Sequence, residues 1–263
     1  MGPRGRVALW AGAFLTLFAA SAYALDSVEQ VEDCVRENLP ETSSKQTIRI
    51  TAVDAMGSET GYEAKILWRR FSDDRAKSVI RVFAPSDVRG TAVLMVDRGD
   101  ERVDIFAYLP ELRKVRRVTK HSVAGSFLGT DFTYEDLERV QGQAQDSERR
   151  LLEPKELDGH RSYVIESTPK EEGSAYRRVV AYVDQELCLP MRVELYRSGE
   201  KPAKLMTLQR DAITKEKSGH VPRRVLVEDL EEGSRSELVV DEIEFDGDIP
   251  EREFSVSALE RHR

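Results

Sequence analysis

The sequence predicts a mainly β protein, an antiparallel meander of about a dozen strands with a few short helices, and two observations carry that prediction. From Gln46 to Phe245, short runs with period-two alternation or continuous apolar character follow one another, interrupted by a single helical stretch. Turn sequences such as Asp87-Val88-Arg89-Gly90, Asp97-Arg98-Gly99-Asp100 and Arg197-Ser198-Gly199-Glu200 separate neighbours at hairpin spacing, too short for parallel crossovers.

Taken in order, Ser27–Asn38 sets Val28, Val31 and Val35 at helical spacing among charges and stops at Leu39-Pro40. That is the pattern of a short amphipathic helix. Thr47–Val53 alternates, with Ile48 and Ile50 on one face and Arg49 and Thr51 on the other. Strand-like runs follow at Tyr62–Phe71, Ser78–Phe83, Thr91–Asp97, Arg102–Tyr108 and Lys114–Val118. Ser122–Leu128 is rich in small residues and could form a further short helix. Asp131–Val140 then reads as a helix, with Thr130 or Asp131 as its cap and Tyr134, Glu135 and Asp136 in its first turn. Further strands are expected at Arg149–Glu153, Arg161–Thr168, Tyr176–Val183, Pro190–Tyr196, Lys204–Ala212, Pro222–Asp229 and Ser236–Phe245. No repeat or linker divides residues 25–263, which are read as one domain.

A half-solvated antiparallel sheet alternates cleanly. Ala92–Val96, Val79–Phe83 and Val179–Val183 do not, being apolar on both faces. Two covered faces require a second layer or a curved sheet around an apolar hollow. On residue pattern alone a packed sandwich is the simpler solution.

Residues 1–24 read as a cleaved secretory signal: Arg4 and Arg6 precede the apolar run Val7–Ala20, and Ala22-Tyr23-Ala24 supplies the small residues of a cleavage site. The run is short for a membrane span of about 20 residues, and an exported, periplasmic protein beginning at Leu25 is expected. Removing two arginines and no acids moves the formal charge from −8 to −10. That sign argues against a general nucleic-acid binder, which needs a basic footprint. Cys34 and Cys188 are the only cysteines. In an oxidising compartment they form a candidate disulfide, and the alternative is two unrelated buried thiols. Asn38, the only asparagine, is read as compositional bias.

The stretch Gly90–Val140 contains Tyr108-Leu109-Pro110, the basic run Arg113–Val118 and Ser126-Phe-Leu-Gly-Thr-Asp-Phe-Thr-Tyr-Glu-Asp-Leu137. This order resembles the outer-membrane lipoprotein-sorting family, the LolA-like periplasmic carriers. About fifty residues carry the likeness strongly, and Asp246–Pro250 with Glu253-Phe254-Ser255 fits it loosely. The resemblance implies an open half-barrel, a strongly curved antiparallel sheet whose short helices cover the concave face. It implies noncovalent carriage of a lipid or lipid-modified protein between membranes, with no cofactor. Lipid or lipoprotein acyl chains would be the partners, with transient contact at a membrane surface.

If such a hollow exists, the large soft residues Trp68, Phe83, Leu94, Met95, Phe106, Tyr108, Phe127, Phe132, Met191 and Met206 are the expected lining, against the alternative of ordinary core. Arg113, Lys114, Arg116, Arg117 and Lys120, with His121, form a basic cluster in an acidic protein. It reads as a docking patch for anionic head groups or an acidic partner, or as an edge strand kept charged against edge pairing. A second function class follows from the patch: an adaptor docking on an inner-membrane transporter, its hollow filled by itself. No metal-binding or catalytic motif is present, and the four histidines stand alone, so no enzyme is expected.

Overall fold

The computed structural model describes residues 25–71, 75–99, 102–119, 122–142, 146–170, 173–217 and 219–261. Among these, fifteen strands form, thirteen of them in one antiparallel sheet and two in a separate hairpin. They are β1 (Ser43–Val53), β2 (Glu59–Arg70), β3 (Ala76–Ala84), β4 (Ala92–Asp97), β5 (Val103–Leu109), β6 (Lys114–Arg117), β7 (Ser147–Leu157), β8 (His160–Pro169), β9 (Arg178–Asp184), β10 (Pro190–Tyr196), β11 (Lys204–Leu208), β12 (Ile213–Glu216), β13 (Gly219–Pro222), β14 (Arg224–Asp229) and β15 (Ser234–Phe245). The helices are α1 (Val28–Arg36), α2 (Tyr134–Val140) and α3 (Val256–Arg261).

The sheet order is β6-β5-β4-β3-β2-β1-β15-β14-β11-β10-β9-β8-β7, so the sheet is open, with β6 and β7 as its edges. Two meanders meet at a central seam where β1 pairs with β15. The β12–β13 hairpin interrupts the second meander between β11 and β14.

Curvature follows from the packing. Laid flat, thirteen strands would span roughly 60 Å. Yet one continuous core gathers Ile105 and Val93 from one wing, Ile50 and Leu238 from the centre, and Val179 and Val193 from the other wing, around Phe127, Phe132 and Leu137. Only a sheet wrapped around the 122–142 segment brings those side chains together. The connection from edge β6 to edge β7 therefore crosses the concave face and fills its middle.

The apolar character of both faces has two local causes. On β3–β5, Val79, Ala92, Leu94 and Tyr108 face away from that core and are covered by Ile249, Phe254 and Leu259 of the C-terminal segment. On β8–β10, Val164, Val180 and Tyr196 form an outer cluster of their own. α3, unanticipated in the sequence, thus lies on the convex face. The other two helices lie on the concave side: α2 lies within the main core, and Val31 of α1 packs on Tyr163, Ile165 and Val183.

Several local expectations need correction. Ser122–Leu128 makes turns and an isolated bridge between Ser126 and Thr133, without a helix, because Gly125 and Gly129 punctuate it and Leu128 adopts a positive φ of 55°. The α2 cap is Thr133, in a reciprocal capping box with Asp136, and neither Thr130 nor Asp131 serves there. The Lys204–Ala212 run ends as a strand at Leu208, and the β12–β13 hairpin was not foreseen.

Cys34 and Cys188 are bonded, their Cα atoms 5.5 Å apart, tying α1 to the β9–β10 turn. Asn38 reinforces the same junction. Its Nδ2 donates to Leu187 O and Cys188 O at 3.0 Å each, and its Oδ1 accepts from the His220 amide at 2.7 Å. Gly219 (φ 130°) makes that approach, since a Cβ there would lie 2.5 Å from Asn38 Oδ1. The single asparagine is a clip, where its composition alone had suggested nothing.

Candidate ligand-binding site

On the concave face, the wings of the sheet and the two helices leave a cleft of about 700 Å³. Period-two alternation aims Val179, Ala181 and Val183 of β9 and Ile165 of β8 into it. Val35 and Leu39 enter from α1 and its C-terminal turn, and Trp68 from β2. Leu39 and Trp68 also border a second space of about 110 Å³, bounded by the β12–β13 hairpin and by Val225, Leu238 and Val240. The mouth is charged: Arg36, Arg70, Arg139 and Arg149 line it beside Glu32 and Asp97. Glu32 is engaged by Arg149 at 2.7 Å, a contact that also holds α1 against β7.

The 122–142 segment that fills the middle of the hollow is fixed by buried polar contacts. Asp131 accepts from Ser234 Oγ at 2.5 Å and from Ser236 Oγ at 2.6 Å, its amide donates to Ser236 Oγ at 2.9 Å, and Lys204 Nζ donates to its carbonyl at 2.6 Å. Tyr176 donates its hydroxyl to Asp136 at 2.9 Å, and Tyr62 donates to Leu128 O at 2.6 Å. Glu135 accepts from Ala175 N at 2.8 Å and from Arg139 at 2.8 Å. Burial raises the Asp136 carboxyl above its ordinary range, against the pull of the Lys204 charge and the Thr133 hydrogen bonds. Burial, with the Asp136 charge beside it, carries the Tyr176 phenol well above its usual value. Burial would also raise Asp229, but amide donation from Glu232 and the Arg197 side chain outweigh it and hold that carboxyl low. The run Gly129-Thr-Asp-Phe-Thr is thus a plug whose polar residues grip the sheet while Phe127 and Phe132 pack beneath.

The ten residues expected to line a hollow separate into three groups. Trp68 borders the cleft. Met95, Phe127, Phe132, Met191 and Met206 are in the main core, with Met95 and Phe132 fully buried. Met191 also reaches a separate cavity of about 440 Å³ beside Arg210 and His160. Leu94, Phe106 and Tyr108 lie on the convex face under the C-terminal segment. Phe83 alternates with the core residue Val82 and sits 6.0 Å from Lys65 Nζ. Parity along each strand, not side-chain size, decides the face: Val93 and Met95 occupy the concave positions of β4, which forces Leu94 outward. The smaller Val179, Ala181 and Val193, and Arg139 on α2, line the cleft instead, and since β9 is apolar on both faces no local pattern marked which of its residues face inward.

The basic run begins at Arg113 in the turn before β6 and continues along β6, the edge of the sheet. Arg113, Lys114 and Arg116 are exposed, Arg117 contacts Asp104 of β5, and Lys120 and His121 lie outside the described residues. No group of three or more His, Cys, Asp or Glu that could hold a metal occurs among the described residues. Among them, too, no helix is long and apolar enough to cross a membrane.

Comparison with known proteins agrees with this architecture. A family model described as "-like: Uncharacterized protein" matches residues 74–261, more than half of the chain. No curated protein matches. Among solved structures, a protein described as an outer membrane lipoprotein-sorting protein domain, from Vibrio parahaemolyticus, superposes with TM-score 0.79 at 21% identity, over 88% of this chain and 97% of that one. A DUF1329 family protein from Desulfovibrio piger gives TM-score 0.79 at 24% identity, over 89% and 100%. A LolA superfamily protein from Nitrosomonas europaea gives 0.69 at 20%, over 88% and 98%. At these identities the likeness is one of fold. The chain belongs to the family described as "-like: Uncharacterized protein", and its fold is that of the LolA-like lipoprotein-sorting proteins.

Proposed function

We propose that the protein is an exported, periplasmic, noncovalent carrier that moves a lipid or lipid-modified protein between membranes. The apolar cleft between α1, α2 and the β8–β10 wing is the observation that carries this reading. Burial contributes about 0.8 kcal/mol per CH₂, so a long acyl chain supplies about 10 kcal/mol before ordering costs. That is enough to hold the chain through water. Cargo larger than the cleft would have to displace the 122–142 plug, whose return would favour release. The open cleft supports this reading over that of a transporter adaptor with a wholly self-filled hollow. Residues 1–24 act as the export signal in this proposal.

Purification from a periplasmic extract without detergent, followed by mass spectrometry of an organic extract, tests the proposal. Stoichiometric lipid is expected. An empty protein that also fails to bind a fluorescent fatty-acid probe overturns it.

The exposed arginines of β6 and of the turn before it would bring the carrier to an anionic membrane surface, where each basic residue contributes about 1 kcal/mol. The triple reversal R113E/R116E/R117E is expected to abolish sedimentation with vesicles containing anionic phospholipid while leaving the circular dichroism spectrum intact. Unchanged sedimentation would leave β6 as a protected edge and nothing more.

A further inference from the structure

Two residues that line the cleft carry buried donors that have no partner among the described residues. Trp68 is 3% exposed, and its indole Nε1, which can only donate, has no hydrogen-bond partner. Arg139 lines the same cleft, and its Nε is buried and also without a partner, although its terminal nitrogen is engaged by Glu135. On the neighbouring strand Ser78 is paired in register with Trp68, is fully buried, and its hydroxyl is likewise unsatisfied. Native interiors satisfy nearly all such groups, and an orphaned buried donor is costly to keep. The cost is explained when an acceptor arrives from outside. Arg36, Arg70, Arg139 and Arg149 stand at the same mouth, where Arg36 is paired with Asp33, Arg139 with Glu135 and Arg149 with Glu32, and the Asp97 carboxylate accepts from the Gly99 amide. The complement is an oxyanion attached to an apolar chain.

Size limits that chain. About 700 Å³ lies within the range of about 300–1,000 Å³ typical of pockets for one small molecule. We propose that the cleft binds a single-chain anionic amphiphile, its acyl chain along Val179, Ala181 and Val193 and its carboxylate or phosphate oxygen on the N–H groups of Trp68 and Arg139. This rests on the carrier reading and narrows it, since the pocket has room for one chain and donors for one acidic head.

Trp68 supplies its own reporter, because Trp10 falls in the export signal and Trp68 is the one other tryptophan. The exported protein is titrated with palmitate, with lysophosphatidylglycerol and with uncharged monopalmitin, following tryptophan emission and, for variants, calorimetry. The two anionic ligands are expected to bind saturably at one site and at least tenfold more tightly than monopalmitin, and whichever binds more tightly names the head group. Trp68→Phe keeps an aromatic ring at the site and removes the N–H. It should weaken anionic binding by about tenfold to a hundredfold and monopalmitin binding by clearly less, so that the preference for charged ligands narrows, and the melting temperature should fall only by what the smaller ring costs in packing. Arg139→Lys keeps the charge beside Glu135, removes Nε, and should weaken the same ligands. Equal affinity for charged and uncharged chains, or unchanged affinity in both variants, would overturn the proposal and leave those donors to water. Absence of binding by all three ligands would overturn the carrier reading itself.

Discussion

Phe132→Ala is expected to destabilise the protein by about 3–5 kcal/mol, the usual cost of deleting a fully buried phenylalanine. For a chain of this size that lowers the melting temperature by roughly 6–20 °C. Phe132 is 0% exposed, its carbonyl accepts from the Phe127 amide at 2.8 Å, and Phe127 in turn meets Tyr134 edge to face at 6.2 Å. Its loss empties space in the middle of the hollow while the polar grip at Asp131 and Asp136 persists. The variant should therefore hold more fatty-acid probe per molecule even as it melts earlier. Calorimetric melting and a probe titration measure the two effects separately. A variant with unaltered melting would show that the plug is not packed as described.

Breaking the Cys34–Cys188 bond is expected to have a comparable effect. It closes a separation of 154 residues, for which chain entropy gives about 5 kcal/mol at most, with about 2–5 kcal/mol typical of native bridges. The consequence extends beyond stability, because α1 forms one wall of the cleft through Val35 and Leu39. The double variant C34S/C188S should melt earlier and bind acyl ligands more weakly. Asn38 and the Arg149–Glu32 pair hold the helix at neighbouring points, so α1 should remain folded. Denaturant melts and binding titrations of the oxidised, reduced and double-variant proteins make the comparison. Equal affinity in all three would separate the bridge from the site.

The strands were legible because period-two patterning and hairpin turns are local signals. Pro190–Tyr196 was placed to the residue, and other strands to within a few positions at each end. What failed was information held by the fold's third dimension. Leu94 and Met95 are adjacent, apolar and buried, yet one packs under the C-terminal segment and the other under the plug. No local pattern says which of two covered faces is concave. Asp131 read naturally as a helix cap, but its carboxylate goes to Ser234 and Ser236, about a hundred residues away. The cleft itself was half visible: Trp68 was singled out by size, whereas Arg139 looked like any charged residue on a short helix until its Nε proved to be buried.

The seam between β1 and β15 also governs how the molecule comes into being. Ser44 pairs with Phe245, so the centre of the sheet joins the two ends of the chain. Each outer wing is a succession of hairpins and can collapse on its own. Their union carries the largest loop-closure cost and is the step that sets a slow folding time. Until the last long strand is delivered, each wing presents an unpaired inner edge open to other chains. A folding chain is therefore most vulnerable before β15 is in place, and a chain halted before Ser234 would keep both wings and lose what unites them.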